Sequence, residues 1–275
     1  MPDKYGNKLI AHAQALHQSC MPLLVVQVRL SSTDVHQLRV LAKELRALWQ
    51  LLKPLLAKGQ ADAASRSIWH SAKLLADVRD QQVQLDTLDQ QIGKAGEVEL
   101  PALRRARAQL ITQAGCSKQA VVTAAIASAF AQDLTRWQAL ELDSNKRELI
   151  GDGYERLYRN ACKRYLHALE SGNAEDWHKL RRWTKYLALV TPVIVENDGA
   201  KILTKRYCDL AEKLGDLHDL EVLTAALRVL PDQDKPSMIQ AIAAMEQRAD
   251  SLQRKCCRKA RRLFGTKSKS GKSVL

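Results

Sequence analysis

Aromatic side chains make up only 5% of the 275 residues. That is few for the stacking platforms used by proteins that bind single strands without sequence preference. Long apolar runs are missing too: residues 23–28 form an apolar stretch far shorter than the roughly 20 residues a membrane helix needs. The N-terminus lacks the layout of a secretory signal, so a cytoplasmic protein with no membrane partner is expected. The six cysteines, Cys20, Cys116, Cys162, Cys208, Cys256 and Cys257, show neither a CxxC pair nor zinc-finger spacing. Small buried thiols in a reducing compartment are the expectation. A P-loop, a nucleophile elbow and a cluster of metal-binding carboxylates are all absent from the motifs. The reading is therefore of a non-enzyme that needs no cofactor and no metal. Period-2 alternation is missing except over residues 23–30, which leaves little room for sheet.

What is present is helical periodicity and positive charge. The apolar fraction of 46% suits a folded chain, and a net charge of +13 with a pI near 9.6 calls for an anionic partner: nucleic acid, a membrane surface or another polyanion. Helical spacing predicts helices over 5–20, 32–52, 62–92, 101–113, 118–140, 154–169, 175–195, 200–230 and 234–264, an all-α fold. Ser31, Ser32, Thr33 and Asp34 supply N-cap candidates for the second helix, and Pro54 follows its end. Pro192, Pro231 and Pro236 fall at or near helix ends. A boundary between halves is expected at 143–145 or at 151–153, dividing the chain into 1–144 and 145–264. Residues 265–275, low in apolar side chains, read as a disordered basic tail.

One stretch stands out. His36, Arg39, Lys43 and Arg46 fall within an arc of about 80° on one helix. A second copy begins at His178, with Arg181, Arg182 and Lys185. The usual fate of a basic helix face is pairing with acids three or four positions away. Arg39, Lys43 and Arg46, and likewise Arg181, Arg182 and Lys185, have no acid at those positions. Instead Arg39 with Lys43, Lys43 with Arg46, Arg181 with Lys185 and Arg182 with Lys185 are like-charge neighbours, each costing about 0.2–0.5 kcal/mol in an isolated helix. A ligand or an acid from another helix must offset them. Asp80 and Asp219 are candidates for orienting the stripes, because Leu75-Ala-Asp-Val-Arg-Asp80 recurs as Leu214-Gly-Asp-Leu-His-Asp219. The offsets of 142 for the histidines and 139 for these segments indicate a duplicated unit. Short loops between helices make each unit a four-helix bundle.

A third basic row, Arg156, Arg159, Lys163 and His167, also keeps one face, but Arg159 can reach Glu155 and Arg156 can reach Asp152. Spacing offers Lys8 and His12 as its counterparts in the first half. The group Arg254, Lys255, Arg258, Lys259, Arg261 and Arg262 reads as a helix end, basic all round, that adds long-range attraction.

The two stripes and the Leu-Gly-Asp-Leu-His-Asp segment resemble the CHAD family, the conserved histidine α-helical domain, over about residues 5–264. The resemblance implies two four-helix bundles about a pseudo-two-fold axis. It also implies basic residues facing a central cavity and binding of inorganic polyphosphate there, with Arg79 added to the three rows. Targeting to polyphosphate granules is a further implication. CHAD domains often accompany a triphosphate-tunnel domain, but its Glu-x-Glu-x-Lys signature is missing: Glu97-Val-Glu-Leu-Pro is the nearest approach, so the chain looks stand-alone. Two departures make the halves unequal. Ala188 stands where the first stripe has Arg46, and Ala76 and Arg79 stand where the second segment has Gly215 and His218. The alternative reading is a helical nucleic-acid-binding protein, supported by charge but by no docking motif.

Overall fold

The computed structural model describes residues 4–114, 120–142, 147–195, 197–230 and 235–265, with the side chains of 4, 5, 76–81, 113, 114 and 147–149 left out. Among the described residues it contains ten α-helices: α1 Lys4–Cys20, α2 Ser32–Leu52, α3 Gln60–Leu74, α4 Ala76–Ile92, α5 Leu100–Ala114, α6 Ala124–Gln138, α7 Arg147–Ser171, α8 Ala174–Ile194, α9 Asp198–Leu227 and α10 Pro236–Phe264. The all-α expectation holds. Side-chain caps start the helices that matter most. At α2 the Ser31 hydroxyl accepts from the Asp34 amide at 3.1 Å while the Asp34 carboxylate accepts from the Ser31 amide at 2.9 Å, a reciprocal box. Asn173 accepts from the Asp176 amide to start α8, and Asn197 from the Ala200 amide to start α9. Pro236 opens α10, where its missing N–H is no loss.

Three local expectations change. The extended stretch shrinks to β1, Arg29–Leu30, paired antiparallel with β2, Ala120–Val121. Leu23 ends a 3-10 turn, and Gln27 at φ 70° breaks the run in between. The span 62–92 divides at Leu75 (φ −95°, ψ 2°). No breaker sits there; α3 packs on α2 and α6, whereas α4, still touching α2, packs mainly on α5 and α9. Gly151 and Gly153, read as one possible boundary, lie inside α7. There α7 meets the end of α2 so closely that a Cβ on Gly153 would overlap the Leu51 carbonyl oxygen. The other boundary, 143–145, and the tail, 266–275, lie outside the described residues.

Helix contacts recur in pairs. α2 packs on α3 as α8 packs on α9, α1 on α8 as α7 on α2, α4 on α5 as α9 on α10, and α2 and α8 pack on each other. The main core takes Leu38, Leu45 and Leu48 from α2 and Leu180, Leu187 and Val190 from α8, joined by α1, α3, α6, α7, α9 and the end of α10. At one side of it Asp133 is fully buried, accepting from the indoles of Trp49 (2.9 Å) and Trp137 (3.1 Å) and sitting 3.0 Å from His17. A second core joins Leu88 of α4 and Leu103 of α5 to Leu223 of α9 and Met245 of α10.

Candidate polyanion site

The α2 stripe and the α8 stripe lie on helices that touch, and Arg46 of the first is within electrostatic reach of Arg182 of the second. Burial lowers the Arg46 pKa below its ordinary value, Arg182 lowers it further, and the Tyr186 phenol opposes both. Two guanidinium groups from different helices thus lie within each other's field. The Arg46 Nε is buried without a hydrogen-bond partner among the described residues. A buried cationic group left in that state is unfavourable until something anionic reaches it. Ala188, at the matching place in the second stripe, is 3% exposed, so an arginine there would need burying as well.

Higher along the stripes, Arg39 and Arg181 occupy matching positions and lean on the helix that follows each. Arg39 Nη1 lies 3.5 Å from the Ala72 carbonyl, one of the open carbonyls where α3 ends. The corresponding stretch of α9 is continuous and offers no free carbonyl. Arg181 instead packs flat on Gly215, whose added Cβ would meet Nη2 at 3.0 Å. The glycine that breaks the match between the two repeat segments makes room for a guanidinium. His178 stacks obliquely on His218 of α9, with ring centroids 4.5 Å apart. Burial pushes the His178 imidazole down to about 4, helped by His218, Arg181 and Arg182 and opposed by Asp219. His36 and Arg182 are exposed, and Lys43 and Lys185 are half-buried; His178 keeps an exposed edge although its ring packs against His218. Asp219 lies within electrostatic reach of His178. Arg79 and Asp80 lie among the side chains left undescribed.

The third row does not join the stripes as a row. Arg156 turns inward and donates to the Gln50 carbonyl, and at 3.3 Å to the Gln50 side chain, at the end of α2. This replaces the expected reach to Asp152, because carbonyls in the last turn of α2 lack helical partners. Gln50 continues the stripe by one turn beyond Arg46, so Arg156 closes its inner end. Arg159 pairs with Glu155 at 2.6 Å, and Lys163 and His167 are exposed. His12 of α1 is bonded to Glu44 at 2.8 Å.

A model of the CHAD domain matches residues 24–228. The chain belongs to the CHAD family. A search of curated proteins found no match. Among solved structures the chain is similar to the crystal structure of the CHAD domain from the plant Ricinus communis. That likeness has a TM-score of 0.60 at 18% identity, over 96% of this chain and 93% of the other. At that identity the likeness speaks for the fold.

In this CHAD chain, no group of three or more His, Cys, Asp or Glu side chains among the described residues is placed to hold a metal ion. No described helix is long and apolar enough to cross a membrane. Cys20 and Cys256 are buried, and burial pushes their thiols up to about 11 and about 12, poor nucleophiles at neutral pH. Cys208 departs from the expectation by being exposed, and Cys116 lies outside the described residues. His218, Gly215 and Tyr186 were missed as site residues. For His218 a signal existed: it stands at the repeat position of Arg79.

Proposed function

We propose that this protein binds inorganic polyphosphate, without altering it chemically, along the paired stripes of α2 and α8. The observation that carries the reading is the buried Arg46 Nε, left without a hydrogen-bond partner among the described residues where α2, with one stripe, packs on α8, with the other. A phosphate chain supplies closely spaced negative charge and no bases. It therefore suits Arg forks and Lys point charges at successive helical turns, and it needs no aromatic platform. His36, Arg39, Lys43, Arg46, His178, Arg181, Arg182 and Lys185 form the contact surface, and Asp219 holds His178 in place. Family membership supports the same reading. Association with polyphosphate granules in the cytoplasm follows from it.

Competition tests it against the nucleic-acid alternative. Long-chain polyphosphate is expected to displace bound RNA or DNA at equal phosphate concentration; displacement in the opposite sense sinks the reading. Arg39→Glu with Lys43→Glu is expected to weaken polyphosphate binding by at least about tenfold, with the circular dichroism spectrum unchanged. Two phosphate contacts become repulsions, and each charged contact is worth more than 1 kcal/mol. Incubation with divalent metal and acceptor should leave chain length unaltered.

A further inference from the structure

The last turns of α10 carry six cations, and the structure places them on one side rather than all round. At about 100° per residue, Arg254, Lys255, Arg258, Arg261 and Arg262 fall within about a 120° arc. All five are exposed. The opposite face holds Cys256, Ala260, Leu263 and Phe264, all buried against the main core. Lys259, at the arc's edge nearest α9, pairs with Asp209.

Arg258 has cations at both i−4 and i−3 and at both i+3 and i+4, a repulsive arrangement that a solvated face would normally relieve with interspersed acids. The sequence past Phe264 adds Lys267, Lys269 and Lys272 and no acid.

This face is separate from the stripes. On α9, Gly215 meets Arg181 of α8, whereas Asp209, which holds α10, lies about 120° around the helix from it. α9 thus stands between the two basic surfaces.

We propose that the α10 face is a second polyphosphate-binding surface, so that one molecule can hold two segments, or two chains, of polyphosphate at once and cross-link them. This rests on the polyphosphate reading above. The chemistry of the face favours a bare phosphate polymer over other polyanions. Its apolar side is already committed to the core, so it has nothing to insert into a lipid surface. Its exposed arc holds no aromatic side chain on which a base could stack.

The test crosses two variants with two probes. One variant carries Lys255→Glu, Arg258→Glu and Arg262→Glu; the other carries Arg39→Glu, Lys43→Glu and Arg182→Glu; circular dichroism and thermal melting check both folds. Tripolyphosphate, too short to bridge, reports on a single surface, and long-chain polyphosphate reports on cross-linking through light scattering.

The α10 variant is expected to keep tripolyphosphate affinity at the stripes within about twofold. It should lose long-chain scattering, and its salt slope for long-chain binding should be smaller by about 0.7 per phosphate contact removed. If it scatters like the parent, the second surface is overturned and the stripe reading stands. If the stripe variant binds like the parent while the α10 variant binds nothing, the stripe reading and the two-surface proposal are both overturned. Double-stranded DNA or phosphatidylserine vesicles bound through α10 and not displaced by long-chain polyphosphate would overturn the proposal in favour of those partners.

Discussion

Single residues decide how the stripes behave with pH. His178 carries its proton only near pH 4 in the free protein, because burial, His218, Arg181 and Arg182 all disfavour the imidazolium and Asp219 compensates in part. Its folded pKa lies below the ordinary 6.5, so its contribution to stability is present above about 6.5 and is lost as pH falls towards 4. If polyanion binds along the stripes as proposed, it reverses the local field and raises that pKa, so binding is expected to take up a proton and affinity to rise as pH falls from neutrality towards 4. Calorimetry in two buffers of different ionisation enthalpy should detect this uptake, and His178→Gln should reduce it; proton uptake unchanged in the variant would remove His178 from the site. Asp133 has the opposite role. It receives two indole N–H groups and faces His17 in a site with no exposure, so it holds α1, α2 and α6 together rather than meeting a ligand.

At the scale of elements, the stripes depend on how tightly α7 closes on α2. Gly153 permits that approach, since its added Cβ would lie 2.0 Å from the Leu51 carbonyl oxygen, a backbone atom that cannot rotate away. Gly153→Ala is expected to destabilise the fold by about 1–3 kcal/mol, the usual range for forced overpacking, despite the better helix propensity of alanine. Urea denaturation measures it, and a variant as stable as the parent would mean that α7 can shift. Helix existence was legible from sequence because apolar spacing and caps such as Ser31 with Asp34 act within a few residues. The division at Leu75 was not, because it follows from two partner sets, α2 and α6 for α3, mainly α5 and α9 for α4. The inward turn of Arg156 was hidden for the same reason: Gln50 is 106 positions away.

Over the whole molecule the excess of thirteen positive charges favours an anionic partner, and under the proposed polyphosphate reading it sets the salt dependence of binding. By analogy with single-stranded nucleic acid, log affinity should fall linearly with log salt at about 0.7 per phosphate contacted. A titration of long-chain polyphosphate at several ionic strengths checks this, and an affinity insensitive to salt would exclude a charge-driven site. The fold class, the two basic stripes beginning at His36 and His178, the lack of acidic neighbours around their Arg and Lys residues and their repetition were readable from the chain alone, because helical period and i±3 or i±4 neighbours are local properties. Tertiary structure alone decided that Arg46 is buried at the packing of α2 on α8, that Arg181 rests on Gly215, that His178 stacks on His218 and that the α10 cations share one face. Each of those depends on which helices pack together and at what rotation, and packing is settled by burying apolar faces over distances of chain that no local pattern spans.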